Sequence, residues 1–271
     1  MTAFKKPLCG ILAFILVFVF VAATPISVFA EDEVVTISAK EIELNKETED
    51  GYEYIKVDAG SAVELIKYVG DETEVKVPTK LAGLSVIAVG EGCFEGNKNV
   101  VSIKLNSEIV TVKDRAFKDC TALKEVKKTE SLTSLGASAF EGCTALEEVV
   151  IPSTVKTIAD NAFQKSGIKE IVIPASVKTI GEAAFGSSLI ETVTFEGDIA
   201  IQGYAFRGCT KLSTVNMNGY NVTFIASTLN NRNSCWFCNG ESNNPNTSNI
   251  TFYVVNETVA ASVKAAMGAE A

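Results

Sequence analysis

One residue at a fixed interval constrains this chain more than anything else in it. Phe94, Phe117, Phe140, Phe163, Phe185 and Phe206 recur at spacings of 23, 23, 23, 22 and 21. Each follows a small residue: Cys93, Ala116, Ala139, Ala162, Ala184 or Ala205. Five positions before each Phe stands an aliphatic residue, Val89, Val112, Leu135, Ile158, Ile180 or Ile201. Five or six positions after it stands another: Val100, Leu123, Leu146, Ile168, Ile190 or Leu212. Self-similarity at such a period is the signature of a repeat architecture, in which each copy is one structural unit.

Between the phenylalanines runs a strand-like alternation, clearest in Val149-Val150-Ile151-Pro152 and Ile171-Val172-Ile173-Pro174. A period of two sends alternate side chains to opposite faces, so each copy reads as one coil of a solenoid with a strand in it. The Ala-Phe segment is expected to form a short helical turn that drops its Phe into the interior. A single coil cannot bury its apolar face, so coils stack and stability is summed over neighbouring interfaces. Stacked strands lie about 4.8 Å apart, which would align the six phenylalanines as a ladder through the core.

The unit Ile-Pro-x-x-Val-x-x-Ile-x-x-x-Ala-Phe-x-x-Cys-x-x-Leu resembles the BspA-type leucine-rich repeat of surface and secreted proteins, mostly bacterial. The match is closest over residues 139–163, with Cys143, Thr144 and Leu146 in place, and extends over about 77–217. The resemblance implies an α/β-type, β-dominated repeat solenoid: a curved right-handed coil with a parallel sheet on one face and short helical turns on the other. It implies a role in adhesion or recognition, and no catalytic residue. One copy departs from the unit, because Lys127-Lys128-Thr129-Glu130 stands where strand and Ile-Pro are expected. A distorted strand is expected there.

The segments around the repeats have distinct compositions. Lys5 and Lys6, an apolar run over 10–23 and the ending Val28-Phe29-Ala30 have the parts of a cleavable export signal. The run is shorter than the roughly 20 apolar residues of a spanning helix. Cys9 precedes the run, which does not suit a lipoprotein cleavage box. Cleavage after Ala30 would leave 271 − 30 = 241 residues with a charge of 22 − 33 = −11, against −9 for the whole chain. The expected organisation is therefore a signal peptide over 1–30, a β-rich N-terminal cap over 31–76, about six repeats over 77–218 and a C-terminal cap over 219–271. That last cap reads as an Asn-rich loop, a strand over 250–255 and a helix over 257–267 stopped by Gly268. No further membrane span is expected, nor a sorting signal after Ala271.

Composition narrows the chemistry. The chain contains 0 histidines, which removes Ser-His-Asp and Cys-His nucleophilic sites and every metal site that needs imidazole. Its acidic balance disfavours nucleic acid, since no net positive field exists to displace phosphate counterions. No catalytic group, cofactor or metal is expected. Cys120, Cys143 and Cys209 share one repeat position and Cys93 takes the small-residue position, so they read as buried thiols, with a Cys120–Cys143 disulfide as the alternative. Cys235-Trp236-Phe237-Cys238 reads as structural thiols or a local disulfide, with redox and metal readings as rivals. Trp236 and Phe237 read as a lid packed on the last coil or as a recognition tip. The sequons at Asn221, Asn246, Asn249 and Asn256 are attributed to Asn-rich composition.

Outward strand positions form the remaining candidate surface. One column reads Ser102, Glu125, Glu148, Glu170, Thr192, Thr214, and its neighbour Lys104, Lys127, Val150, Val172, Thr194, Asn216. Three stacked glutamates repel one another unless Lys104 and Lys127 compensate diagonally. The column reads as a solvated face, with a cation site or a basic partner as the functional alternative. Together with the resemblance, these features lead to the expectation of a secreted or cell-surface module that binds a protein or glycan of a host or neighbouring cell. An extracellular polysaccharide-acting enzyme and a purely structural envelope component are the rival expectations.

Overall fold

Two columns of parallel strands and one column of turns make up each coil, so the chain presents three kinds of face rather than a sheet opposed by helical turns. The structure is a computed structural model that describes residues 46–127, 130–217, 219–225 and 251–254, with residues 257, 260, 261, 263 and 264 beyond them. All of these fall in one unit, Ala39–Ala271. The expected signal peptide, residues 31–45 of the expected N-terminal cap, and Cys235, Trp236, Phe237 and Cys238 lie outside the described residues.

The first column holds Leu84–Val89, Thr111–Val112 and Ser134–Leu135, then Thr157–Ile158, Thr179–Ile180, Ile199–Ile201 and Val222–Phe224. The second holds Glu74–Lys76, Ser102–Lys104 and Glu125–Lys127, then Glu170–Ile173, Thr192–Phe195, Thr214–Asn216 and Thr251–Tyr253. Within each run the pairing is parallel and in register, one coil to the next. Ahead of the first column, Glu47–Glu49, Tyr52–Val57 and Ala62–Tyr68 pair antiparallel, and Ala62–Tyr68 then pairs parallel with Leu84–Val89.

Both columns break at the same coil. Val149-Val150-Ile151-Pro152, one of the two clearest alternations in the sequence, lies outside any strand. Of the expected distortion at Lys127-Lys128-Thr129-Glu130, residues 128 and 129 lie outside the described residues; up to Lys127 the strand Glu125–Lys127 pairs regularly with Ser102–Lys104. The physical reason lies in what faces inward. Val77, Leu105, Ile151, Ile173, Phe195 and Met217 fill one inward position with exposures from 0 to 7 %; residue 128, between Leu105 and Ile151 in this series, lies outside the described residues. That inward packing is incomplete beneath the interrupted coil. Val126 is correspondingly only half-buried, and an apolar cavity of about 30 Å³ lies among Leu105, Val126, Leu132, Leu135, Phe140 and Ile151.

The third column corrects the expected helical turns. Residues around each Phe are turns, and among the described residues the only helical segments are a 3-10 turn at Asp58–Gly60 and the isolated positions Glu257, Ala260, Ala261, Val263 and Lys264. Two positions before each Phe, the backbone takes positive φ at Gly92, Arg115, Ser138, Asn161, Ala183 and Tyr204. Two positions after each Phe it does so again, at Gly96, Asp119, Gly142, Lys165, Ser187 and Gly208. These left-handed residues stop helix propagation and turn alternate N–H groups along the solenoid. Thus Arg115, Phe117 and Asp119 donate to the carbonyls of Ala137, Ala139 and Glu141 at 2.9, 2.8 and 2.7 Å, and the pattern repeats from coil to coil. The turn column is therefore hydrogen-bonded between coils as the strands are.

The phenylalanine ladder is present. Successive rings from Phe94 to Phe206 stack with centroids 5.0–5.4 Å apart and interplanar angles of 2–26°. Tyr68 extends it at 4.9 Å from Phe94, and Tyr52 leans on Tyr68 at 5.2 Å. Close stacking also fixes particular glycines. A Cβ at Gly136 would collide with the backbone nitrogen and carboxylate of Asp114, whose Oδ1 accepts the Ala137 N–H at 2.7 Å. Gly181 stands in the same relation to Asp160, which accepts the Glu182 N–H at 2.7 Å.

Candidate functional surface

The outward positions of the second column follow from the strand register. Ser102 pairs with Glu125 and Lys104 with Lys127 in the first run. In the second run Glu170, Thr192, Thr214 and Thr251 form one row, and Val172, Thr194, Asn216 and Tyr253 form the next. Glu148 and Val150 belong to the interrupted coil, so no continuous glutamate column exists: Glu125 and Glu170 stand in separate sheets with Glu148 outside both. Compensation is also local rather than diagonal. Lys127 Nζ lies 3.5 Å from the Glu125 carboxylate on its own strand, a pair more than half exposed and so of small energetic value.

Moving along this face, charge gives way to uncharged side chains. The first run offers Glu74, Lys76, Lys104, Glu125 and Lys127. The second offers Glu170 and then Thr192, Thr194, Thr214, Asn216 and Thr251. Val172 is 50 % exposed and Tyr253 58 %, and Val150 in the interrupted coil is 59 % exposed. Asn216 donates to the Thr194 hydroxyl at 3.2 Å, which ties neighbouring outward side chains together. Opposite them, Ile171, Ile173, Val193, Phe195, Val215 and Met217 are buried, so the backbone behind the face is anchored in the core.

Cys93, Cys120, Cys143 and Cys209 are all buried and free of disulfides. Cys120 donates to the Phe94 carbonyl at 3.0 Å, Cys143 to Phe117 at 3.1 Å and Cys209 to Phe185 at 3.0 Å. Each thiol thus satisfies a carbonyl of the preceding coil. Burial pushes the Cys120 thiol up to about 12 and raises Cys143 and Cys93 as well. A thiolate is required for nucleophilic attack or metal ligation, so Cys93, Cys120 and Cys143 are structural. Among the described residues no group of three or more His, Cys, Asp or Glu side chains could hold a metal ion. No helix among them is long and apolar enough to cross a membrane.

Sequence reasoning did not reach two features. The ladder begins at Tyr68, which the 26-residue gap to Phe94 conceals. The left-handed pairs around each Phe are signalled only by Gly92, Gly96, Asp119, Gly142, Asn161 and Gly208, residue types that adopt positive φ more readily than others.

A family model described as the BspA type leucine rich repeat region, in 6 copies, matches over residues 87–213 and 133–256. No curated protein matches. Among solved structures, the chain is similar to a leucine-rich repeat protein of T. pallidum, with 26 % identity and a TM-score of 0.52 over 64 % of this chain and 72 % of that one. A leucine-rich repeat protein of Bacteroides ovatus matches with 18 % identity and a TM-score of 0.52, over 79 % of this chain and 77 % of that one. The latter shows the fold alone.

Proposed function

The chain belongs to the BspA-type leucine-rich-repeat family, and on that premise we propose that it is a secreted or cell-surface binding module. It holds an extracellular protein or glycan on the outward face of the second strand column. The observation that carries this reading is the uninterrupted run from Glu170–Ile173 to Thr251–Tyr253, which presents Val172 and Tyr253 outward among threonines and Asn216. Ligand contact on such a face desolvates few charges, and depletion of charge with aromatic enrichment marks interface centres. The strands behind it are fixed by the buried core, so little ordering entropy is lost on contact.

Within this reading Glu170, Val172, Thr192 and Thr194 contact the ligand, with Glu148 and Val150 at the edge of the patch. Glu125 and Lys127, paired with each other, lie at its periphery. A glycan and matrix-protein array, run with the wild-type chain and a Glu148→Lys/Glu170→Lys variant, tests it. The expected result is at least one ligand retained by the wild type and weakened at least ten-fold in the variant. Equal binding by both removes this face, and release of reducing sugar from an arrayed polysaccharide replaces binding by catalysis.

A further inference from the structure

Away from the strand columns, the turn face is covered by side chains that pair between coils. Arg115 reaches Glu95 at 2.6 Å, and Lys118 reaches Glu141 at 2.9 Å. The position after each Phe carries Glu95, Lys118, Glu141 and Gln164 in the first four coils, then Gly186, then Arg207. At Gly186 the covering stops. An open cavity of about 280 Å³ lies there, near the lower end of the ~300–1,000 Å³ usual for small-molecule sites. Its floor is Gly186 with the methyl of Ala183, and its walls are Gln164 on one side and Tyr204 with Arg207 on the other.

The chemistry of the walls is specific. The Arg207 guanidinium lies over the Tyr204 ring, 5.3 Å from its centroid, and forms no ion pair among the described residues. An unpaired cation in a chain of net charge −9 selects a ligand of opposite sign. Contact with the ring face engages the cation without using its N–H groups, which suit the two-point hydrogen bonding that carboxylates accept. The Gln164 amide and Ser187 hydroxyl supply donors and acceptors along the rim, and a floor without long side chains admits the flat C–H face of a ring.

We propose that this slot binds a carboxylated sugar residue of an acidic glycan. Arg207 takes the carboxylate, Gln164 and Ser187 the ring hydroxyls, and Gly186 the ring face. The site lies on the turn face, so it stands or falls independently of the strand-column reading. The test is calorimetry or NMR titration of the chain with methyl β-D-glucuronide and methyl β-D-glucoside. The glucuronide is expected to bind at least ten-fold more tightly than the glucoside. Arg207→Gln should remove that preference, and Gly186→Gln, which restores the preceding coil's residue, should block the slot. Glu148→Lys/Glu170→Lys should leave it intact. Absence of glucuronide binding, equal binding of both sugars, or wild-type affinity in a folded Arg207→Gln variant overturns the proposal. Acetate binding as tightly as glucuronide overturns its sugar specificity. If Gly186→Gln does not fold, the exposed Arg207 variant decides alone.

Discussion

Phe140 touches the rings of Phe117 and Phe163 at 5.0 and 5.4 Å and is 3 % exposed. Truncating it removes both stacking partners and leaves a void that rigid neighbouring coils cannot fill. Phe140→Ala is expected to cost about 3–5 kcal/mol, read as a fall in the denaturation midpoint. The thiols give a second residue-scale expectation. An unfolded thiol titrates near about 8.5, whereas burial holds Cys120 near 12 and raises Cys93 and Cys143. The folded chain therefore keeps protons that the unfolded chain releases. This contribution is full below about pH 8.5 and is lost as pH rises toward the folded values, by at most ~1.4 kcal/mol per pH unit per thiol. Urea denaturation at pH 7.5 and 9.5 should show lower stability at the higher pH, with the difference reduced in a Cys120→Ala/Cys143→Ala variant.

Elements were legible in the sequence where inward and outward positions alternate beside a neighbour that does the same. Ile171-Val172-Ile173 satisfies this and is a strand against Thr192–Phe195. Val149-Val150-Ile151 alternates equally well but borders the apolar cavity beside Val126, and no strand forms. A strand is a property of the pair, while alternation is read from one segment. The turn column was misread for a related reason. Ala-Phe flanked by small residues suggests a helical turn, but the N–H groups of each turn bond the next coil, which only the stacked structure reveals. Within the candidate surface, the row assignments were legible because the 22–23-residue period fixes register; the break at Glu148 and Val150 was not.

For the whole molecule, stability is a sum of coil–coil interfaces, and the outward strand face is a by-product of that stacking. Positions that face inward are committed to the ladder and its aliphatic flanks, which frees the outward rows to vary without cost to the fold. Export is the other whole-molecule expectation: expressed with its first 30 residues in a secreting bacterial host, the chain should appear outside the cytoplasm with Glu31 at its N-terminus, and retention of an intact Met1 product would contradict it. The most direct measurement of the central claim is the affinity of an array-identified ligand for the wild type and for Val172→Asp/Thr194→Asp, two outward changes that leave the buried residues in place. At least a ten-fold loss of affinity at unchanged thermal midpoint is expected. Unaltered affinity in a folded variant would contradict the assignment of this face as the binding surface.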